Sequence, residues 1–333
     1  MLSLLHAPLA FDVEAWWAKE LSWRSQTPPA FGHAMLTEFD LNSSYTNLNQ
    51  GSYGSTPTKV RHATDALVKL AENNPDLWFR GGLEEDGADA PFIQFLRATR
   101  ALLAKYIGAK TEDTVIVDNA SHGLTAVLRS VPAFQAAATG KPGILSLDLA
   151  YYQVKLTLDF VGNTEPVVHH PLTQVDTTAT GAEFDEEVLV EQVGAALAAA
   201  NGTVGLCSFS HIVSIPAVVL PVARLGAICR AAGALTLVDG AHVPGNLPLD
   251  VESLGVDFCA PSARSNPFAA FPPPAHTVNL ELRDEPIRSL ASRPTCTVGA
   301  RDLTGRARCC RGRRGQRAQA PLLVARRLCA LGA

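Results

Sequence analysis

The sequence predicts an α/β protein: a mainly parallel sheet with helices packed on both of its faces. Three observations carry that expectation. From residue 113 onward, short runs rich in Val, Ile and Leu alternate with longer stretches of helical periodicity. Those runs are apolar nearly throughout rather than alternating with polar residues, as strands buried on both faces are. Several of them end in small and polar residues, Asp, Ser and His among them. In open α/β sheets that carboxyl end is where ligands bind.

The elements follow in order. Residues 13–21 form a helix-prone stretch of a leader, which passes through Thr27-Pro28-Pro29 into a turn-rich segment at 36–55. Thr56-Pro57 supplies a cap and an N-terminal proline for a helix whose apolar face is Val60, Ala63, Leu67 and Leu70. Residues 92–107 make a second strong helix. Strands are then expected at 114–117, 143–147, 166–169, 203–209 and 234–238, with another beginning at 256–258. Helices are expected between them at 121–130, 152–161, 186–200 and 220–232. Strand–helix–strand units of this kind predict right-handed crossovers and a parallel sheet.

A chain of 333 residues with 47% hydrophobic and 18% charged side chains suits one large domain with a smaller piece, not a disordered protein. No apolar stretch approaches the ~20 residues of a membrane span. Residues 1–10 have no basic flank, so a secretory signal is not expected, and a cytoplasmic location is. The seven cysteines form no CxxC pair and no cluster with histidine, which favours reduced thiols over disulfides or a metal site. The net charge of −4 hides a seam. Residues 1–258 carry 15 basic and 28 acidic side chains, whereas 259–333 carry 13 arginines, no lysine and four acids. The expected organisation is a leader and arm at 1–35, a large domain at 36–258, and an Arg/Ala/Gly/Pro-rich tail at 259–333.

The chemistry lies at the strand ends. Val117-Asp118-Asn119-Ala120-Ser121 runs from a strand into a helix whose free N–H groups and hydroxyl could cradle a phosphate. Tyr151 and Tyr152 offer an aromatic face after the next strand. Ser210 and His211 bring a hydroxyl and an imidazole to the same edge, and Val238-Asp239-Gly240-Ala241-His242 adds a carboxylate and a second imidazole. Each motif has an ordinary alternative: a serine cap, packed tyrosines, an aspartate closing a turn. Together they are the parts that hold pyridoxal 5′-phosphate. A helix start takes its phosphate, a ring covers it, and a carboxylate keeps its pyridine nitrogen protonated as an electron sink.

These segments occur in order with Phe31-Gly32-His33, Phe39, Leu48-Asn49-Gln50-Gly51-Ser52-Tyr53-Gly54, Tyr151 to Lys155 and Ser210-His211-Ile212-Val213-Ser214. Taken together, residues 31–258 resemble the class V aminotransferase family of fold type I pyridoxal-phosphate proteins. The resemblance is to the branch of isopenicillin N epimerase-like proteins, L-cysteine desulfhydrases and hercynylcysteine sulfoxide lyases. It implies the large domain of that fold and a lyase, desulfhydrase or epimerase acting on a sulfur-containing amino acid. By resemblance Asp239 pairs with the ring nitrogen, Ala120 and Ser121 hold the phosphate, and Tyr151, Ser210, His211 and His242 line the cofactor. Asn49 and Tyr53 lie near the substrate mouth, where a homodimer partner often contributes.

One part of the pattern is missing. The family carries its Schiff-base lysine in a His-Lys-Trp triplet a few residues after a strand like Val256-Asp257-Phe258. Here the last lysine of the sequence is Lys155. Arg264 cannot replace it, because a guanidinium stays protonated and is no amine nucleophile. No counterpart of the family's small C-terminal domain is recognisable. A change of reading frame or splicing near residue 259 accounts for the lost lysine, the charge reversal and the tail composition together. The expectation is therefore no catalytic residue and an inactive chain as written. The alternatives are a pseudoenzyme or dimerisation partner that binds the cofactor non-covalently, and a nucleic-acid contact through 301–317. The last is disfavoured because no aromatics interleave with the arginines.

Overall fold

The computed structural model describes residues 12–48, 54–81, 90–134, 139–164, 168–172 and 184–262. All fall within the first of two compact units, residues 1–283. Among them are seven strands and nine α-helices. The N-terminal layer comprises α1 (Val13–Glu20), α2 (Thr58–Asn73), α3 (Pro75–Arg80) and α4 (Pro91–Ile107). Asp12 caps α1 by accepting from the Ala15 amide, and Pro75 and Pro91 stand at helix starts, where a missing N–H costs nothing. Gly108 closes α4 in a left-handed conformation, φ 66°. A Cβ there would meet the Asp250 backbone at 2.9 Å, so both conformation and space require glycine.

The sheet layer follows as α5 (Ala120–Phe134), β1 (Gly143–Leu147), α6 (Tyr152–Thr164), β2 (Val168–Leu172), α7 (Glu186–Ala199) and β3 (Val204–Ser210). A small hairpin, β4 (Ile212–Val213) with β5 (Val218–Val219), precedes α8 (Val222–Ala231), β6 (Leu235–Gly240), α9 (Val251–Leu254) and β7 (Phe258–Pro261). Five strands pair in parallel in the order β2-β1-β3-β6-β7. Every residue of β1 and of β3 is buried, which is why those stretches lack polar alternation.

Strand alternation divides the core into two halves. Leu145, Leu147, Cys207, Phe209, Val238 and Cys259 pack with Leu189, Val193 and Leu197 of α7 and Val222, Leu225 and Cys229 of α8. The intervening residues Ile144, Leu206, Leu237 and Phe258 point to the other face and are equally buried. There α5 packs on β6, β7 and α6. Helices thus cover both faces, as expected. The three described cysteines, Cys207, Cys229 and Cys259, are free and buried.

Two differences from the sequence expectation stand out. Residues 114–117 are not a strand. Thr114 has extended backbone, φ −97° and ψ 130°, yet the segment lies outside the ladder. β-Branched residues favour extension, but a strand also needs a neighbour, and among the described residues the outer strands are β7 and β2. The last strand runs through Pro261, three residues past Phe258. The small C-terminal domain, expected to be missing or not formed, would fall on residues outside those described, as does most of 259–333.

Among the described residues no helix is long and apolar enough to cross a membrane.

Candidate functional site

The carboxyl edge of the sheet gathers the polar residues. Register places Ser210 of β3 directly opposite Asp239 of β6, and Asp239 opposite Ala260 of β7. Partners in register point the same way, so Ser210 and Asp239 share the face on which α5 packs. Asp239 ends its strand in a turn, with the Ala241 amide donating to its Oδ1 at 3.0 Å. Burial pushes its carboxyl above the ordinary carboxylate range, against the Ala241 hydrogen bond and the nearby His242.

His211 is stitched to the same place through its backbone. Its amide donates to the Asp239 carbonyl at 2.8 Å, and its own carbonyl accepts from Leu220 at 2.8 Å. The residue is only 8% exposed, and its Nδ1 is buried without a hydrogen-bond partner among the described residues. Such an orphan costs free energy in an isolated chain and marks a position where a ligand atom would be accommodated. Burial correspondingly lowers the imidazole's proton affinity, favouring the neutral ring. His242 is held differently. Its Nε2 lies 3.1 Å from Ser214 Oγ, and its carbonyl accepts from Asn246 Nδ2 at 2.6 Å.

The start of α5 supplies amides. Asn119 occupies the cap: its side chain accepts from the His122 amide at 2.8 Å and its carbonyl from the Gly123 amide at 3.1 Å. The N–H groups of Ala120 and Ser121, one turn too early for intrahelical acceptors, remain for an anion. His122 Nδ1 pairs with Asp118 Oδ2 at 3.1 Å on the exposed side. Asn119 was readable from the sequence, since an asparagine before small residues is a standard cap signal. Ser214 is different: its link to His242 spans 28 residues of sequence and leaves no local trace.

Tyr151 caps α6 with its carbonyl, which accepts from the Lys155 amide at 3.1 Å, and the residue is 54% exposed. Lys155 Nζ donates to the Asp148 carbonyl at 2.9 Å. Asn49 and Tyr53 lie outside the described residues. The cavity at the N-terminal layer, about 250 Å³ and lined by Trp23, Met35 and Phe39, shares no residue with this edge.

Residues 169–266 match the family model of class-V aminotransferases. The chain is 31% identical over 225 residues to an isopenicillin N epimerase from Amycolatopsis lactamdurans, covering 68% of this chain and 52% of that protein. It is 27% identical over 228 residues to the hercynylcysteine sulfoxide lyase of Schizosaccharomyces pombe, covering 68% and 53%. Over residues 169–266 the chain is thus similar to class-V aminotransferases. The chain spans about half the length of the curated proteins it matches. Another relative is the L-cysteine desulfhydrase of Arabidopsis thaliana, 29% identical over 240 residues and covering 67% and 49%. Among solved structures it shares the fold of a cystine C–S lyase mutant carrying glycine covalently linked to its pyridoxal-phosphate cofactor. That likeness has a TM-score of 0.60 at 21% identity, covering 90% and 74%. An apo cysteine desulfurase from Thermococcus onnurineus gives a TM-score of 0.57 at 18% identity, covering 81% and 62%.

Proposed function

We propose that this class V aminotransferase relative holds pyridoxal 5′-phosphate at the carboxyl edge of its sheet, without a covalent tether and without turnover. The observation that carries the reading is the buried Nδ1 of His211, without a partner among the described residues, in a residue whose backbone amide bonds the carbonyl of the desolvated Asp239. The residues present fit the cofactor. The amides of Ala120 and Ser121 would take its phosphate, Asp239 its ring nitrogen, and Ser210, His211, His242 and Tyr151 the ring's remaining edges and face. Bound there, the group supplies an electron sink for a carbanion next to an amino acid's nitrogen.

What the 333-residue sequence lacks is the amine. No lysine follows Lys155, and Lys155 itself is occupied by the Asp148 carbonyl. Asp239 would pair with a cationic ring nitrogen, but the sequence from β7 onward holds no lysine to form the covalent link. Relatives named as desulfhydrases, a sulfoxide lyase and an epimerase support a sulfur-containing amino acid as the ligand class. Asn49 and Tyr53 are proposed for its mouth, and a homodimer for the assembly.

The test is reduction with borohydride after loading. The full chain is expected to take up pyridoxal phosphate, to release it on dialysis, and to show no added mass by intact-protein mass spectrometry after reduction. A stable phosphopyridoxyl adduct on one lysine would overturn the untethered reading. No uptake at all would overturn the site.

A further inference from the structure

Ser214 sits in the turn of the β4–β5 hairpin, an exposed position with no packing role of its own. Its hydroxyl nevertheless reaches across to the loop after β6 and meets His242 Nε2 at 3.1 Å. The hairpin is not a free flap. Its base is bound to β6 through the His211 amide on the Asp239 carbonyl, and its two arms are closed by Leu220 donating to the His211 carbonyl. On the other side, Asn246 grips the His242 carbonyl, so the histidine's backbone is fixed independently of its ring. Ser214 therefore governs one remaining freedom, the rotation of the imidazole. With Nε2 engaged by the hydroxyl, Nδ1 is the ring nitrogen left for a ligand beside Asp239.

We infer that Ser214 is a positioning residue of the cofactor site: through the hydrogen bond between its Oγ and His242 Nε2, it holds the His242 ring in the orientation that serves the bound ring next to Asp239. This rests on the pyridoxal-phosphate reading above. A hydroxyl is suited to the task because it can donate to or accept from Nε2, and so holds the ring in either tautomer. The arrangement follows the general pattern in which a ligand-facing histidine is oriented by a partner on its other nitrogen.

The experiment compares the full chain with Ser214→Ala and Ser214→Thr. In the unloaded protein, nitrogen-15 spectra of the histidine rings are expected to show the His242 Nε2 resonance moving in Ser214→Ala, with those of His211 and His122 in place. Ser214→Thr should return it. Titration with pyridoxal phosphate should then show about fivefold weaker uptake for Ser214→Ala, the worth of one neutral hydrogen bond, and recovery in Ser214→Thr. The cofactor's absorption band should shift in the alanine variant and return in the threonine variant. An unchanged His242 spectrum in Ser214→Ala, or a threonine variant as weak as alanine, would overturn the assignment of Ser214. Failure of the unmutated chain to bind pyridoxal phosphate would instead overturn the reading of the site, while the spectra of the unloaded protein would still decide the Ser214–His242 contact.

Discussion

Asp239 is the residue at which stability and binding oppose each other. Burial raises the carboxyl's pKa above its ordinary 3.8, so the fold favours the protonated form. For such an acid the stabilising contribution is complete below the unfolded value and is lost as pH rises through the raised one. At neutral pH an ionised Asp239 is thus a liability to the unloaded chain, compensated only when a cationic ring nitrogen arrives. Asp239→Asn keeps the acceptor for the Ala241 amide and removes the charge. The unloaded variant is expected to unfold at higher urea than the parent at pH 7, with the gap closing as pH falls toward 3.8. Its affinity for pyridoxal phosphate should fall. A variant less stable than the parent at neutral pH would contradict this account. The residue was legible in the sequence as the end of an apolar run, but its desolvation was not, because that depends on what α5 and β7 bring over it.

At the level of elements, the join between β6 and β7 shows what sequence cannot reveal. Thr236 and Asp257 lock the two strands before their ladder begins. The Asp257 carboxylate accepts from the Thr236 amide and hydroxyl, both at 2.8 Å, and the Asp257 amide donates back to Thr236 Oγ1 at 2.9 Å. Both residues are buried. This clasp sets the register that places Ala260 opposite Asp239. Thr236→Val preserves shape while removing the hydroxyl, leaving a buried carboxylate and a backbone amide short of a partner. The expected loss is about 1–3 kcal/mol in urea unfolding. In the sequence, Thr236 reads as an ordinary strand residue and Asp257 as part of the strand expected to begin at 256–258. The alternation of strands and helices was plain because it depends on local composition and period. Residues 114–117 misled for the complementary reason: their extended backbone is local, but membership of a sheet is not. The same distinction explains why Asp239 and His211 could be read as site residues, while the Ser214–His242 link could not.

For the whole molecule, the seam in charge falls within β7, and nearly all of the described portion lies on its acidic side. Two large apolar residues ahead of α2 are strongly exposed, Phe31 at 90% and Leu48 at 92%. The proposed homodimer predicts twice the chain mass in sedimentation equilibrium, and Phe31→Ser with Leu48→Ser should shift the population toward monomer. A monomeric parent chain at the same concentration would remove that proposal.

The aromatic cluster of the N-terminal layer has a practical consequence. Trp16 stands edge-on to Phe95 at 5.2 Å between centroids, and Trp78 lies 5.5 Å from the same ring. The remaining tryptophans, Trp17 and Trp23, belong to the same region, and the sequence holds four in all. The indole emission of this protein is therefore a gauge of how α1 seats on α3 and α4, and it is nearly blind to the edge of the sheet. An observer following that light during unfolding watches the arm let go; the strands need a different probe, such as far-ultraviolet ellipticity.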